Sequence, residues 1–356
     1  LLATLTISEN IRMQVVNGHG LVNIGPGNII ALIPDTPSTG LELTLADMDV
    51  VTGNNNLGTA GTISDAKTLS LSITGAQFFA GDGATLNAAK TEILTNDAIG
   101  FLVTGGLTVN SVKDGANTYT GVETSISAAS LEGIDAVDLE IGGDLRFNKA
   151  PGDDKINWTT ATTASNNPDD LLATLDVSDN ITLQILNGHG SLDIGPGNLV
   201  ATVSNVTFTM AEMDVTTGNP NISGGTITAA KVISLDIGSA SLFAGVGGSL
   251  NGARNDILTS DAVGLLASAS FKLVSVTDPV TGDNYSGLEA TNISADILGL
   301  PGNTFDISLT AGSVAYNKGL AGDKINWTVA TQGANDPDSL LADLDVADDL
   351  DFRIFG

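Results

Sequence analysis

The strongest constraint on this chain is that it repeats itself. Residues 1–10 read LLATLTISEN, residues 171–180 read LLATLDVSDN, and residues 340–349 read LLADLDVADD. The register then continues: Asn17-Gly18-His19-Gly20 returns as Asn187-Gly188-His189-Gly190, and Asp154-Lys155-Ile156-Asn157-Trp158-Thr159 as Asp323-Lys324-Ile325-Asn326-Trp327-Thr328. The offset drifts between 164 and 170, so insertions and deletions fall between the matched blocks. Self-similarity at a long period means like units whose cores depend on their neighbours. The chain reads as repeat 1 over residues 1–170, repeat 2 over 171–339 and the start of a third over 340–356. Residue 1 falls inside the pattern and is not Met. The expectation is a slice of a longer tandem array, or a product cut at the repeat phase, whose N-terminus and targeting segment lie elsewhere.

Within a repeat the dominant signal is alternation. Ile181-Thr182-Leu183-Gln184-Ile185, Leu69-Ser70-Leu71-Ser72-Ile73 and Phe305-Asp306-Ile307-Ser308-Leu309 place apolar side chains on one face and polar ones on the other, the period of a strand. Asn-Gly, Pro-Gly, Asp-Gly and Gly-Gly pairs separate these runs. The best helical candidate, residues 86–94 (LNAAKTEIL), is short. Residues 233–245, 263–276, 286–300 and 305–318 each read as two short strands pivoting on a small residue. The fold class is all-β. Two architectures explain the rhythm: a β-solenoid of stacked short-strand coils, or tandem β-sandwich domains. Small inward residues and few large rings favour the solenoid, whose interior is narrow.

Composition excludes much. With 41 Asp and Glu against 13 Lys and Arg, a net charge of −28 leaves no basic patch for nucleic acid. No Cys is present, which removes disulfides, thiolate metal sites and thiol nucleophiles. No run approaches the ~18 apolar residues of a membrane-spanning helix. Asp outnumbers Glu by 33 to 8, which suits turns better than helices.

Calcium is the one ligand this composition invites, through oxygen donors in Gly-rich turns. The densest carboxylates lie at the repeat junctions, where Asp169 matches Asp338 and Asp179 matches Asp348. These four are the candidate metal ligands; the alternative is a solvated acidic surface. His19 and His189 sit in NGHG turns without ligating neighbours, so they read as turn residues bonded to backbone. Trp158 and Trp327 read as plugs over the end of a unit, with a glycan-stacking platform as the alternative. Seven Asn-x-Ser/Thr sequons occur, and only Asn157 and Asn326 match between copies. The four arginines, Arg12, Arg146, Arg254 and Arg353, have no arginine at the matching positions, and no carboxylate pair points to catalysis. The chain does not read as an enzyme.

Long units in tandem, with alternating segments and Asp-rich turns, resemble giant secreted bacterial repeat proteins: adhesins, surface-layer and haemolysin-type calcium-associated proteins. The resemblance implies an extracellular or cell-surface location, a stalk or fibre role and calcium dependence. The nonapeptide calcium repeat of such proteins is absent here. The expectation is a structural segment of an extracellular filament or stalk whose partners are neighbouring copies of itself. The alternative is an adhesin module that binds glycan or protein.

Overall fold

The computed structural model describes residues 10–24, 28–134, 136–299, 308–320 and 322–356. The first nine residues, Gly25-Pro26-Gly27 and Phe305-Asp306-Ile307 of the expected alternating run lie outside the described residues. The chain divides into two compact units. Unit 1 comprises Leu1–Gly133 with Asp144–Thr182, and unit 2 comprises Ile134–Gly143 with Leu183–Gly356. The segment at residues 171–180, which reads as the opening of repeat 2, therefore packs into unit 1. Its counterpart at residues 340–349 packs into unit 2.

The fold is all-β. In chain order the strands are β1 (Ile11–Gly18), β2 (Gly20–Ile24), β3 (Ile29–Ile33), β4 (Gly40–Val51), β5 (Thr62–Asp82), β6 (Thr85–Leu86), β7 (Ile93–Leu94), β8 (Ile99–Asp114), β9 (Asn117–Glu132) and β10 (Val137–Lys149), then the single turn α1 (Trp158–Ala161). There follow β11 (Ile181–Ile194), β12 (Leu199–Thr216), β13 (Thr226–Val246), β14 (Ser249–Leu250), β15 (Ile257–Leu258), β16 (Val263–Thr277), β17 (Asn284–Leu298), β18 (Ser308–Lys318), α2 (Trp327–Ala330) and β19 (Phe352–Phe355). Unit 1 orders its ladder β1-β4-β5-β8-β9, with the β2-β3 hairpin against β5. Unit 2 orders β11-β12-β13-β16-β17-β18-β19. The ladders of both units are antiparallel. No helix among the described residues is long and apolar enough to cross a membrane.

The strands are longer than the sequence suggests, up to 21 residues in β5 and β13. Each small-residue pivot is a β-bulge inside one strand. Registers slip between Ile73 and Ala76, Ile237 and Ala240, Ser268 and Ser270, and Ala290 and Ile293. Left-handed residues mark this crease: Gly75 (φ 65°) in unit 1, Asn205 (φ 54°) and Asn292 (φ 53°) in unit 2. A bulge absorbs one extra residue and bends the strand without ending it, and Gly and Asn tolerate that backbone best.

Residues 86–94 form no helix. They make the β6–turn–β7 hairpin, because Asn87 Oδ1 accepts from Thr91 N and Lys90 turns left-handed at φ 56°. This hairpin closes a small core of Ile30, Leu32, Phe79, Ile93 and Ala98, and unit 2 repeats it with Val200, Phe243, Ile257 and Ala262.

The larger core of each unit lies under a closing segment, residues 150–180 in unit 1 and 319–349 in unit 2. Ile156, Trp158, Leu171, Leu172, Leu175 and Val177 are all at most 2% exposed, and Ile325, Trp327, Leu340, Leu344 and Val346 match them. Full burial of such a side chain contributes about 1.5–3 kcal/mol.

Candidate functional site

The closing segment is seated on a row of polar side chains. In unit 1, Thr44, Ser70, Asn110 and Gly121 stand opposite one another across β4, β5, β8 and β9. All four are buried. Ser70 Oγ accepts from Ala173 N at 2.8 Å, and Asn110 Nδ2 donates to Ala173 O at 2.6 Å. Unit 2 has Thr209, Ser234, Val274, Gly287 and Asn317 in the same relation, and Ser234 Oγ accepts from Ala342 N at 2.7 Å. A buried polar group is tolerated when it is hydrogen-bonded, so this row can hold a strand-like backbone that brings its own unpaired groups.

The tryptophan lock completes the seat. Trp158 Nε1 donates to Asn148 Oδ1 at 3.0 Å, and Asn148 Nδ2 donates to the carbonyls of Ile156 and Ser178. Trp327 and Asn317 reproduce every bond, with Ile325 and Ala347 as acceptors. The indoles lie flat on Gly121 and Gly287, where a Cβ would stand 2.5 Å from Nε1. Both tryptophans are fully buried, which removes the glycan-stacking alternative and places each plug within its own unit.

The matched sequon has a structural use. Asn157 Oδ1 accepts from Thr160 N and caps α1, while its Nδ2, the atom a glycan would occupy, donates to Asp179 Oδ1 at 3.0 Å. Asn326 Nδ2 donates to Asp348 Oδ1 at 3.4 Å. Two of the four expected calcium ligands, Asp179 and Asp348, thus orient these asparagines. Asp169 instead lines a cavity of about 320 Å3 in unit 1 beside Asp47, Asp49 and Asp65. Asp338 is exposed in unit 2, where Ala229 N donates to Asp214 Oδ1 as Asp65 N does to Asp49 Oδ1. Among the described residues no group of three or more His, Asp or Glu is placed to hold a metal ion.

Charge pairs clamp the edge of each closing segment, and the two units do it differently. In unit 1 Arg146 bridges Glu123 (3.3 Å) and Asp176 (2.6 Å), and Glu123 Oε2 accepts from Asp176 N. In unit 2 the arginine is Ala315, but Lys272 stands in the ladder between Asp236 and Glu289 and donates to Asp343 O at 2.9 Å. Glu289 Oε2 accepts from Asp345 N, as Glu123 does in unit 1. Burial raises the Asp236 carboxyl, and Asp343 adds to this while Lys272 opposes it. The lost arginine is thus answered by a lysine two strands away, on the other side of Glu289, a compensation visible only once register is known.

Arg254 makes a second polar cluster within unit 2. It binds Asp138 through both terminal nitrogens at 2.7 Å, and its Nε reaches Ser191 Oγ and Glu140. Arg254, Glu140, Ser191 and His189 line a cavity of about 310 Å3. His189 Nδ1 bonds the Asn187 carbonyl, and His19 Nδ1 donates to the Pro34 carbonyl at 2.8 Å. Both histidines are bonded to backbone as expected, but the NGHG of unit 2 lies inside β11 and forms no turn, and His19 Nε2 also stands 3.4 Å from Asp35 Oδ1.

One buried position differs in charge between the units. Asn167 in unit 1 accepts from Leu171 N and Leu172 N and donates to Leu172 O. Its counterpart Asp336 accepts from Leu340 N and Leu341 N but has no amide to donate. Burial raises the Asp336 carboxyl above the ordinary Asp range, against the pull of those two backbone donors. The folded state therefore holds the proton to higher pH than the unfolded chain. Stability is lost as pH rises from the ordinary Asp range through the raised value. Asp336→Asn is expected to stabilise unit 2 by about 1 kcal/mol at neutral pH, with the gain vanishing in acid. Melting curves at the two pH values check this; equal midpoints at neutral pH refute it.

No family model, curated protein or solved structure matches the chain.

Proposed function

We propose that this chain is a structural segment of an extracellular filament or cell-surface stalk built from tandem β units. One observation carries the reading: both units rebuild the same lock, Trp158–Asn148–Gly121 and Trp327–Asn317–Gly287, under a closing segment that reads as the start of the next copy. A molecule that duplicates its core in this detail, while its polar clusters differ from copy to copy, supplies length and rigidity. We read the finer architecture as an antiparallel meander closed on one face by that segment, in place of the expected coils or sandwich domains. The acidic surface keeps such a polymer dispersed.

Electron microscopy of the native material tests the role. A thin fibre whose axial repeat matches one or two units supports it, and compact monodisperse particles overturn it. Calcium is tested separately by chelation: an EDTA-induced fall in the melting midpoint supports a structural ion at the junction carboxylates, and an unchanged midpoint removes it.

A further inference from the structure

The sheet face opposite each closing segment is apolar and open. In unit 2, Phe208, Leu235, Leu273, Leu288, Tyr316 and Phe352 stand directly opposite one another across six strands. A second row runs alongside: Val206, Ile237, Phe271, Ala290, Val314 and Ile354. These positions alternate with the buried polar row, so they point the other way. Unit 1 carries the same feature in Val15, Leu43, Leu71, Val109 and Val122. Charge lies toward one end of the face, at Asp47, Lys67 and Lys113 in unit 1 and at Glu212, Lys231 and Lys318 in unit 2, Lys318 closing the row of Met210, Ile233, Ser275 and Ser286.

The area of this face identifies its occupant. Met210, Ile233, Tyr316, Phe352 and Ile354 are 36–63% exposed. At roughly 150–250 Å2 per large side chain, these five leave on the order of 500 Å2 uncovered. The half-buried remainder of both rows brings the unit 2 face to about 800 Å2, beyond the roughly 300–600 Å2 of the largest patch on a typical monomer. About 800 Å2 per partner is also what a standard stable interface buries. The face is a set of regular rows with no charge in the middle. Such a surface packs best on another sheet of the same kind, about 10 Å away. The chain supplies that surface itself, twice over.

We propose that the open face is a self-association surface, on which a second copy of this chain docks sheet to sheet. Two copies then pack as a sandwich across this face. The proposal concerns a different face from the closing segment and stands or falls without the filament reading.

Sedimentation of the full chain tests it. The wild type is expected to shift from 36.0 kDa to twice that mass as concentration rises. Leu235→Lys with Leu71→Lys is expected to raise the dissociation constant at least 100-fold, with the circular dichroism spectrum unchanged. Because the chain has no cysteine, a single thiol gives a second readout that does not depend on how the lysine variant folds. Ser275→Cys, beside Ile233 on this face, should lose maleimide reactivity at least tenfold as the protein is concentrated. Val280→Cys, on a loop residue 89% exposed, should not. A wild type that stays monomeric, association unaffected by the lysines, or equal thiol reactivity at all concentrations would overturn the proposal. Flotation of the monomer with neutral phosphatidylcholine vesicles would also overturn it, by assigning the face to lipid.

Discussion

Trp158→Ala is expected to lower the stability of unit 1 by about 3–5 kcal/mol, the range for emptying a fully buried aromatic site, and Trp327→Ala to do the same to unit 2. The loss has two parts. Removing the indole leaves a cavity between the closing segment and the sheet, lined by Gly121 and unable to collapse against a flat ladder. It also strands Asn148 Oδ1, a buried acceptor whose partner is the indole N–H. Trp158→Phe separates the two, since it keeps most of the volume and removes only the donor. A loss of about 1–3 kcal/mol is expected from the unsatisfied acceptor. Hydrogen exchange at the β8 and β9 amides is the measurement, because those strands carry Asn110 and Gly121. Protection in the alanine variant equal to wild type would show that the lock does not hold the segment.

Gly287→Ala should be nearly as damaging, about 3 kcal/mol, although it adds a single methyl group. The added Cβ would stand 2.5 Å from Trp327 Nε1 and 2.7 Å from two ring carbons, closer than real contacts come. The indole has no free direction to move, being fully buried and tied to Asn317. Overpacking a rigid site costs typically 1–3 kcal/mol and sometimes more, and lifting the ring also loosens its hydrogen bond. A double-mutant cycle isolates the cause: in the Trp327→Ala background the glycine substitution should cost less than 1 kcal/mol. A cost that stays the same in both backgrounds would place the strain in the backbone of β17. Gly121→Ala in unit 1 makes an independent repetition of the experiment.

The alternation in the sequence correctly located strands, and the repeat correctly paired Trp158 with Trp327 and Asn157 with Asn326. It did not say which face of a strand is covered. In Leu69-Ser70-Leu71 the reasonable assumption is that leucines face the core, yet Ser70 is the buried residue and Leu69 is 36% exposed. Periodicity reports which side chains share a face. What lies on that face depends on a segment about 100 residues away, since Ala173 is the partner of Ser70. Strand length was misjudged for a related reason. The small residue inside 233–245 read as a pivot between two short strands, but Gly238 there serves a bulge within a continuing ladder, as Gly75 does in unit 1. The junction carboxylates were visible as a cluster, whereas the use of Asp179 as a hydrogen-bond acceptor for Asn157 depends on three-dimensional proximity. The helical reading of residues 86–94 failed because Asn87 bonds its own turn in preference to a helix.

The closing segments also set the order in which such a chain can mature as it leaves the ribosome. The strands of a unit emerge first, with their polar seat wet and unoccupied, and the unit becomes whole only when the leucines at the head of the following copy arrive. Cutting the gene at the visible repeat boundaries, as at residues 171–339, would therefore yield a fragment that carries the leucine-rich end of its neighbour's closing segment and lacks that end of its own.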